Sequence, residues 1–179
     1  MISMKKITTI LVAFLICASL VQAQNMTTVI KTEALKMAKA LSVMDMEAYS
    51  KFMYPSLMNE PASKQRLKQG IDSIEKYREQ FGIKVKQILI GNPSPVITYK
   101  NVMQCTIPQT TTVEAMMGSI EMESVLVALS NDGKTWYFVE SNLFRQKDAK
   151  AKLPELSPEL VIPAPKQPVM KPNDQQNKN

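Results

Sequence analysis

The chain has no histidine in its 179 residues and only one cysteine, Cys105, outside its first two dozen. Histidine is the usual general base near neutral pH and the commonest metal ligand. Its absence excludes a Ser-His-Asp or Cys-His nucleophile and most zinc and non-haem iron sites. The sequence therefore assigns no catalytic residue, no metal site and no cofactor. Cys105 sits between Gln104 and Thr106 in an apparent strand, with no histidine to lower its pKa. It reads as a small buried core residue rather than a reactive thiol. A basic stripe with interleaved aromatics is also missing. The densest basic group, Lys64, Arg66 and Lys68, falls on a helical pattern beside Glu75 and Glu79 and reads as a solvated face. Nucleic-acid binding is not indicated. No internal repeat is evident.

The amino terminus has the order of a secretory signal. Lys5 and Lys6 supply the charged start, Ile7 to Val21 is apolar, and Val21-Gln22-Ala23 offers small residues for cleavage. The apolar run is shorter than the ~20 residues that span a bilayer. Cleavage after Ala23 is expected, so that the exported chain begins at Gln24. An uncleaved anchor and lipidation at Cys17 are weaker readings, because Cys17 follows the bulky Phe14-Leu15-Ile16. The expected location is periplasmic or secreted, in a bacterial envelope, with no stable membrane span after cleavage. Removing Lys5 and Lys6 takes the formal charge from +6 to +4.

Composition divides the remainder into residues 24–145 and a tail, residues 146–179. Six of the eleven prolines lie in the tail: Pro154, Pro158, Pro163, Pro165, Pro168 and Pro172. They forbid long helices and central strands. The final residues, Asn173 to Asn179, are polar and expected to be disordered. The domain of ~120 residues suffices for one hydrophobic core.

Its first half is helical. Ile30, Ala34, Met37, Ala38 and Leu41 form one apolar stripe. Asp45 is placed to cap a short second helix stopped by Pro55. Ser63 is placed to cap a third, carrying Leu67, Ile71, Ile74 and Phe81 and ending at Gly82. The second half changes to a period of two. Strands are predicted from Ile83 to Leu89, Val96 to Ile107, Thr111 to Met117, Ile120 to Ser130 and Lys134 to Glu140. Gly91 to Pro95 is read as a turn, Pro108-Gln109 and Gly118-Ser119 as breaks, and Asn131-Asp132-Gly133 as a hairpin. Short connections make the sheet antiparallel. The fold class is α+β: three amino-terminal helices on an antiparallel sheet of four to five strands, followed by an extended proline-rich tail.

Three pieces of this pattern resemble the nuclear-transport-factor-two-like superfamily, also called SnoaL-like or cystatin-like α+β. They are Leu41 to Tyr49 running into Phe52-Met53-Tyr54-Pro55, the helix from Ser63 into the strand at Ile83, and the hairpin Leu129 to Val139 with Trp136. The resemblance covers residues 26–142. It implies a curved sheet wrapped around a long helix, cone-shaped, with an apolar pocket at the open end. Its members include isomerases, dehydratases and small-ligand binders. Enzymes of the family commonly carry a pocket aspartate or histidine with a tyrosine, and this chain has no histidine. The candidate ligand-binding residues at the implied pocket rim are Asp45, Tyr49, Tyr54, Tyr99 and Trp136.

Each of these also has a plainer reading. Asp45 serves as a helix cap and Tyr54 as a packed aromatic. Glu121 and Glu123 share one strand face about 7 Å apart, which suits an acid–base pair or a cation, but suits a solvated face better. The thirteen methionines read chiefly as core filler, with an adaptable apolar pocket as the alternative. The tail from Leu153 to Pro163 interleaves apolar residues with prolines. It is either an extended segment that docks on the domain or a partner, or a spacer. The leading functional expectation is a non-enzymatic exported domain binding a small apolar ligand or an envelope protein, with a homodimer through the sheet face also considered. The alternative is a ketosteroid-isomerase-like enzyme that shifts a proton with a pocket carboxylate and a tyrosine. Amino-terminal sequencing of the exported chain is expected to read Gln24 first; a chain still beginning at Met1 would remove the cleavage reading.

Overall fold

The computed structural model describes residues 26–58, 65, 68–69, 72–73, 76, 78–115, 118–142, 153–164 and 166–172. The segment expected to be a signal, Cys17, Ser63, Leu67, Ile71, Ile74 and Asn173 to Asn179 lie outside the described residues.

Helix α1 covers residues 26–42 and buries four of the five residues of the expected stripe: Ile30, Ala34, Met37 and Ala38 are all at most 4% exposed, and Leu41 is half-buried. Its end is closed by Met44 in the left-handed region (φ 58°), with Met44 N–H donating to Leu41 O at 3.0 Å and Asp45 N–H to Ala40 O at 2.9 Å. This is the paired C-terminal closure usually built on glycine. The Asp45 carboxylate then accepts from Ala48 N–H at 2.9 Å and starts α2, Met46–Ser50. One residue thus ends one helix with its backbone and begins the next with its side chain. A short α3, Pro55–Met58, follows. The described residues between 65 and 81 are helical and exposed, and Gly82 (φ 62°) ends that segment as expected.

The sheet is open and antiparallel, with six strands: β1 Lys84–Ile90, β2 Ile97–Tyr99, β3 Val102–Ala115, β4 Gly118–Ser130, β5 Tyr137–Glu140 and β6 Val169–Pro172. The long hairpin β3–β4 is its spine, paired in unbroken register from Met103↔Ser130 to Ala115↔Gly118. Each outer edge is covered by two strands in line. β1 and β2 pair with the two ends of β3, and β6 and β5 with the two ends of β4.

Three features correct the expected count of four to five strands. The segment Val96 to Ile107 is not one strand. Lys100 (φ 48°) and Asn101 (φ 63°) form a two-residue turn with both central angles positive, the geometry that suits a tight hairpin, so β2 folds back onto β3. Pro108 does not interrupt β3. Its carbonyl accepts from Gly91 N–H at 2.8 Å, so its nitrogen faces the gap between β1 and β2 and no bond to β4 is lost. The 91–96 segment runs along that gap, where Ser94 and Thr106 exchange hydrogen bonds, rather than reversing the chain. Finally, the tail contributes β6. The Asn131–Gly133 hairpin is present but wider than expected, with β5 starting at Tyr137. Asp132 accepts from Lys134 N–H, Thr135 N–H and Thr135 Oγ1–H at 2.7–3.0 Å, which pulls its carboxyl down to about 2.

Both faces of the spine's inner half are buried. On the helix face, Cys105, Ile107, Leu126 and Ala128 pack with α1, Trp136 and Phe138. On the opposite face, Val102, Val127, Leu129 and Val139 pack with Tyr54 and Leu153, and Leu156, Leu160 and Ile162 join them. Consecutive β4 residues alternate between the two clusters, as a strand's side chains must. Burial pushes the Cys105 thiol up to about 12, which leaves it inert.

Gln104, on the tail face, is fully buried. Gln104 Nε2 donates to Glu155 O at 3.0 Å, and Gln104 Oε1 accepts from Ser157 N–H at 2.8 Å. Residues 153–162 therefore cover this face through both apolar contact and a two-point amide clamp. Lys100 Nζ adds a bond to Pro154 O at 2.9 Å. The face proposed for homodimer contact is, in its inner half, already occupied by this segment. Gln104→Leu keeps the volume but orphans the Ser157 N–H and Glu155 C=O. The expected loss is about 1–3 kcal/mol, with faster proteolysis near Ser157. Unchanged denaturant midpoint and cleavage rate would show that the clamp contributes nothing.

Candidate functional site

The five residues named for a pocket rim do not share one. Asp45 is exposed and capped onto α2. Tyr54 lies on the tail face, edge-on to Tyr137 with ring centroids 6.1 Å apart, and its hydroxyl donates to Glu155. Desolvation and that carboxylate push Tyr54 up to about 12. Tyr99 is half-buried on β2, with the Lys100 ammonium 5.4 Å from its ring centre. Tyr49 and Trp136 alone are brought together, both in the cluster on the helix face. Glu121 and Glu123 are on the tail side of β4, paired with Lys171 and Lys166 at 2.6 Å each.

The chemistry gathers instead on the helix face, where the apolar cluster gives way to polar groups. Gln109 on β3, Ser124 on β4 and Glu140 on β5 follow Ile107, Leu126 and Phe138 at the strand period, so they point to the same side. Gln109 is 4% exposed, and its Nε2 reaches Glu140 Oε1 at 3.3 Å, Ser124 Oγ at 3.4 Å and Thr111 Oγ1 at 3.5 Å. These are long contacts shared by one donor group. Gln109 Oε1 is buried with no hydrogen-bond partner among the described residues, and so is Trp136 Nε1 in the adjoining cluster. A buried polar atom left unpaired costs roughly 1–3 kcal/mol, and each such atom requires an explanation. Beyond Gln109 the same side continues through Ile88, Val113, Ile120 and Met122, all half-buried.

Two ionisable groups respond to this setting. Desolvation raises the Glu140 carboxyl above its ordinary value, outweighing the hydrogen bonds from Gln109 and Ser124 that lower it. Desolvation, with the Glu140 charge second, pushes the Tyr49 hydroxyl up to about 12. Tyr49 thus remains a neutral donor across the physiological range. Glu140 and Gln109 were not singled out from the sequence. The available signal was positional: Trp136, Phe138 and Glu140 are spaced by two and share a face, and Gln109 is a polar residue inside a long strand.

Among the described residues there is no cluster of three or more Cys, Asp or Glu side chains fit to hold a metal. Among them no helix is long and apolar enough to cross a membrane. No protein-family model, curated protein or solved structure matches the chain.

The raised Glu140 carboxyl has a stability consequence with a definite sign. A group whose folded pKa exceeds its unfolded value contributes stability below the unfolded pKa, near 4.5 here, and loses it as pH rises through the folded value. Glu140→Gln abolishes that loss. Its melting temperature relative to wild type is expected to rise as pH increases from about 4 and then level off. A difference constant with pH would show that Glu140 is not desolvated.

Proposed function

We propose that the protein is an exported, non-enzymatic domain that binds a small, largely apolar molecule bearing a hydrogen-bonding group on the helix face of its sheet. The observation that carries this reading is the buried, unpartnered Gln109 Oε1 beside the raised Glu140 carboxyl. The ligand would offer a donor to Gln109 Oε1 or Glu140, and its apolar body would rest on Ile88, Val113, Ile120 and Met122. Tyr49 would supply a neutral donor and Trp136 an apolar wall with one free N–H. The signal-like order of the first 23 residues and the absence of histidine support a binding role in the envelope. The helix-first order and antiparallel sheet support the resemblance to the nuclear-transport-factor-two-like superfamily, within which ligand-binding hollows are common.

A second reading is favoured by one specific observation. A half-buried carboxylate with a raised pKa beside a protonated tyrosine is the pair needed for proton transfer next to a carbonyl. In a ketosteroid-isomerase-like reaction, Glu140 would carry the proton and Tyr49 would donate to the carbonyl oxygen.

A thermal-shift screen of small apolar amides, alcohols and ketones against wild type, Gln109→Leu and Glu140→Gln separates the readings. Binding predicts stabilisation of wild type at least tenfold weaker in ligand affinity for Gln109→Leu. Proton transfer further predicts deuterium uptake from solvent into a bound ketone, lost in Glu140→Gln. No stabilisation of wild type by any member, or equal stabilisation of all three proteins, would overturn the site.

A further inference from the structure

β6 is attached to the sheet in a manner unlike the other strands. It returns after residues 141–168 to pair Val169–Pro172 with Gly118–Glu121, and all four of its residues are exposed, Val169 by 54% and Met170 by 60%. Little apolar surface holds it. What does hold it is the ladder itself and two ion pairs, Lys171–Glu121 and Lys166–Glu123, each 2.6 Å. Exposed pairs of this kind contribute little to stability. A segment with few buried contacts opens at low cost.

The receiving edge, by contrast, is shaped for a strand. Gly118 has φ +143°, and a side chain there would run into the carbonyl of Lys171. The glycine at the end of the β3–β4 hairpin thus admits a backbone that no other residue would admit. Glu121 and Glu123 then present two carboxylates on the tail side, at the strand period, to whatever lies alongside. An uncovered edge is a template for strand addition, in which backbone bonds supply affinity and side chains supply selectivity.

We propose that the β4 edge from Gly118 to Glu123 is a docking site for an extended, lysine-bearing segment of a partner protein, with β6 as the chain's own resident. The fitting pattern is that of the resident: a lysine opposite Ser119 that reaches Glu121, and a second lysine five residues earlier that reaches Glu123. The resident leaves room for improvement, since Val169 and Met170 remain exposed. A partner competes against a tethered segment, whose effective concentration is of millimolar order.

The test uses the full chain and a fluorescent peptide of residues 163–172. In the variant carrying Lys166→Glu and Lys171→Glu, the resident faces Glu121 and Glu123 with like charge and releases the edge. The peptide is expected to bind this variant at least tenfold more tightly than wild type, and a peptide with both lysines changed to glutamate is expected to bind it several-fold more weakly than the parent peptide. Glu121→Lys and Glu123→Lys in an otherwise unaltered chain also set the resident against like charge, and there the preference between the two peptides should reverse. Equal binding to wild type and variant, or binding to neither, overturns the proposal. So does a concentration-dependent wild-type dimer that exchanges tails, since the occupant would then be a second copy.

Discussion

The fold depends on a β3–β4 hairpin whose inner half is apolar on both sides. Leu126 and Ala128 face one way, Val127 and Leu129 the other, and all four are at most 1% exposed. A sheet in that condition cannot leave either face to water. Each buried large apolar side chain contributes about 1.5–3 kcal/mol only when covered. Helix α1 covers one face. Among the described residues the other is covered by the proline-interrupted segment from Leu153 to Ile162, together with Tyr54 and Leu57. Proline suits this task because the segment needs no internal hydrogen-bond ladder. Its backbone is satisfied by Gln104, Lys100 and its own short turns.

This explains which parts of the architecture were legible. The α1 stripe, the Asp45 cap, the Gly82 stop, the buried Cys105 and the shared face of Trp136 and Phe138 follow from local chemistry and periodicity, and the structure has all of them. The Tyr99–Val102 turn was hidden because Lys100 occupies a left-handed position that propensity assigns to glycine or asparagine. Pro108 was read as a break because a proline's cost depends on which side its nitrogen faces, and pairing partners distant in sequence decide that. β6 was hidden because its four residues bury nothing and carry no strand pattern of their own.

The candidate site was legible only in part, for a related reason. Tyr49 and Trp136 were named among five residues of an implied pocket rim, and of the five only these two share a cluster. Tyr54 looked equivalent, yet it lies across the sheet with Tyr137 and Glu155. Gln109 and Glu140 acquire significance only from register, which places them on adjoining strands at the limit of the apolar cluster. The two buried glutamines on β3 illustrate the point. Gln104 and Gln109 differ by one strand face: Gln104 satisfies a backbone segment, whereas Gln109 keeps an unpaired oxygen.

The claim that the tail segment is a structural cover of the spine is tested most directly by amide hydrogen exchange at Ser157. Its N–H donates to the buried Gln104 side chain at 2.8 Å. The account predicts protection of Ser157 comparable to that of Val127, the two opening together. Exchange at Ser157 as fast as in a free peptide, with Val127 still protected, would contradict it.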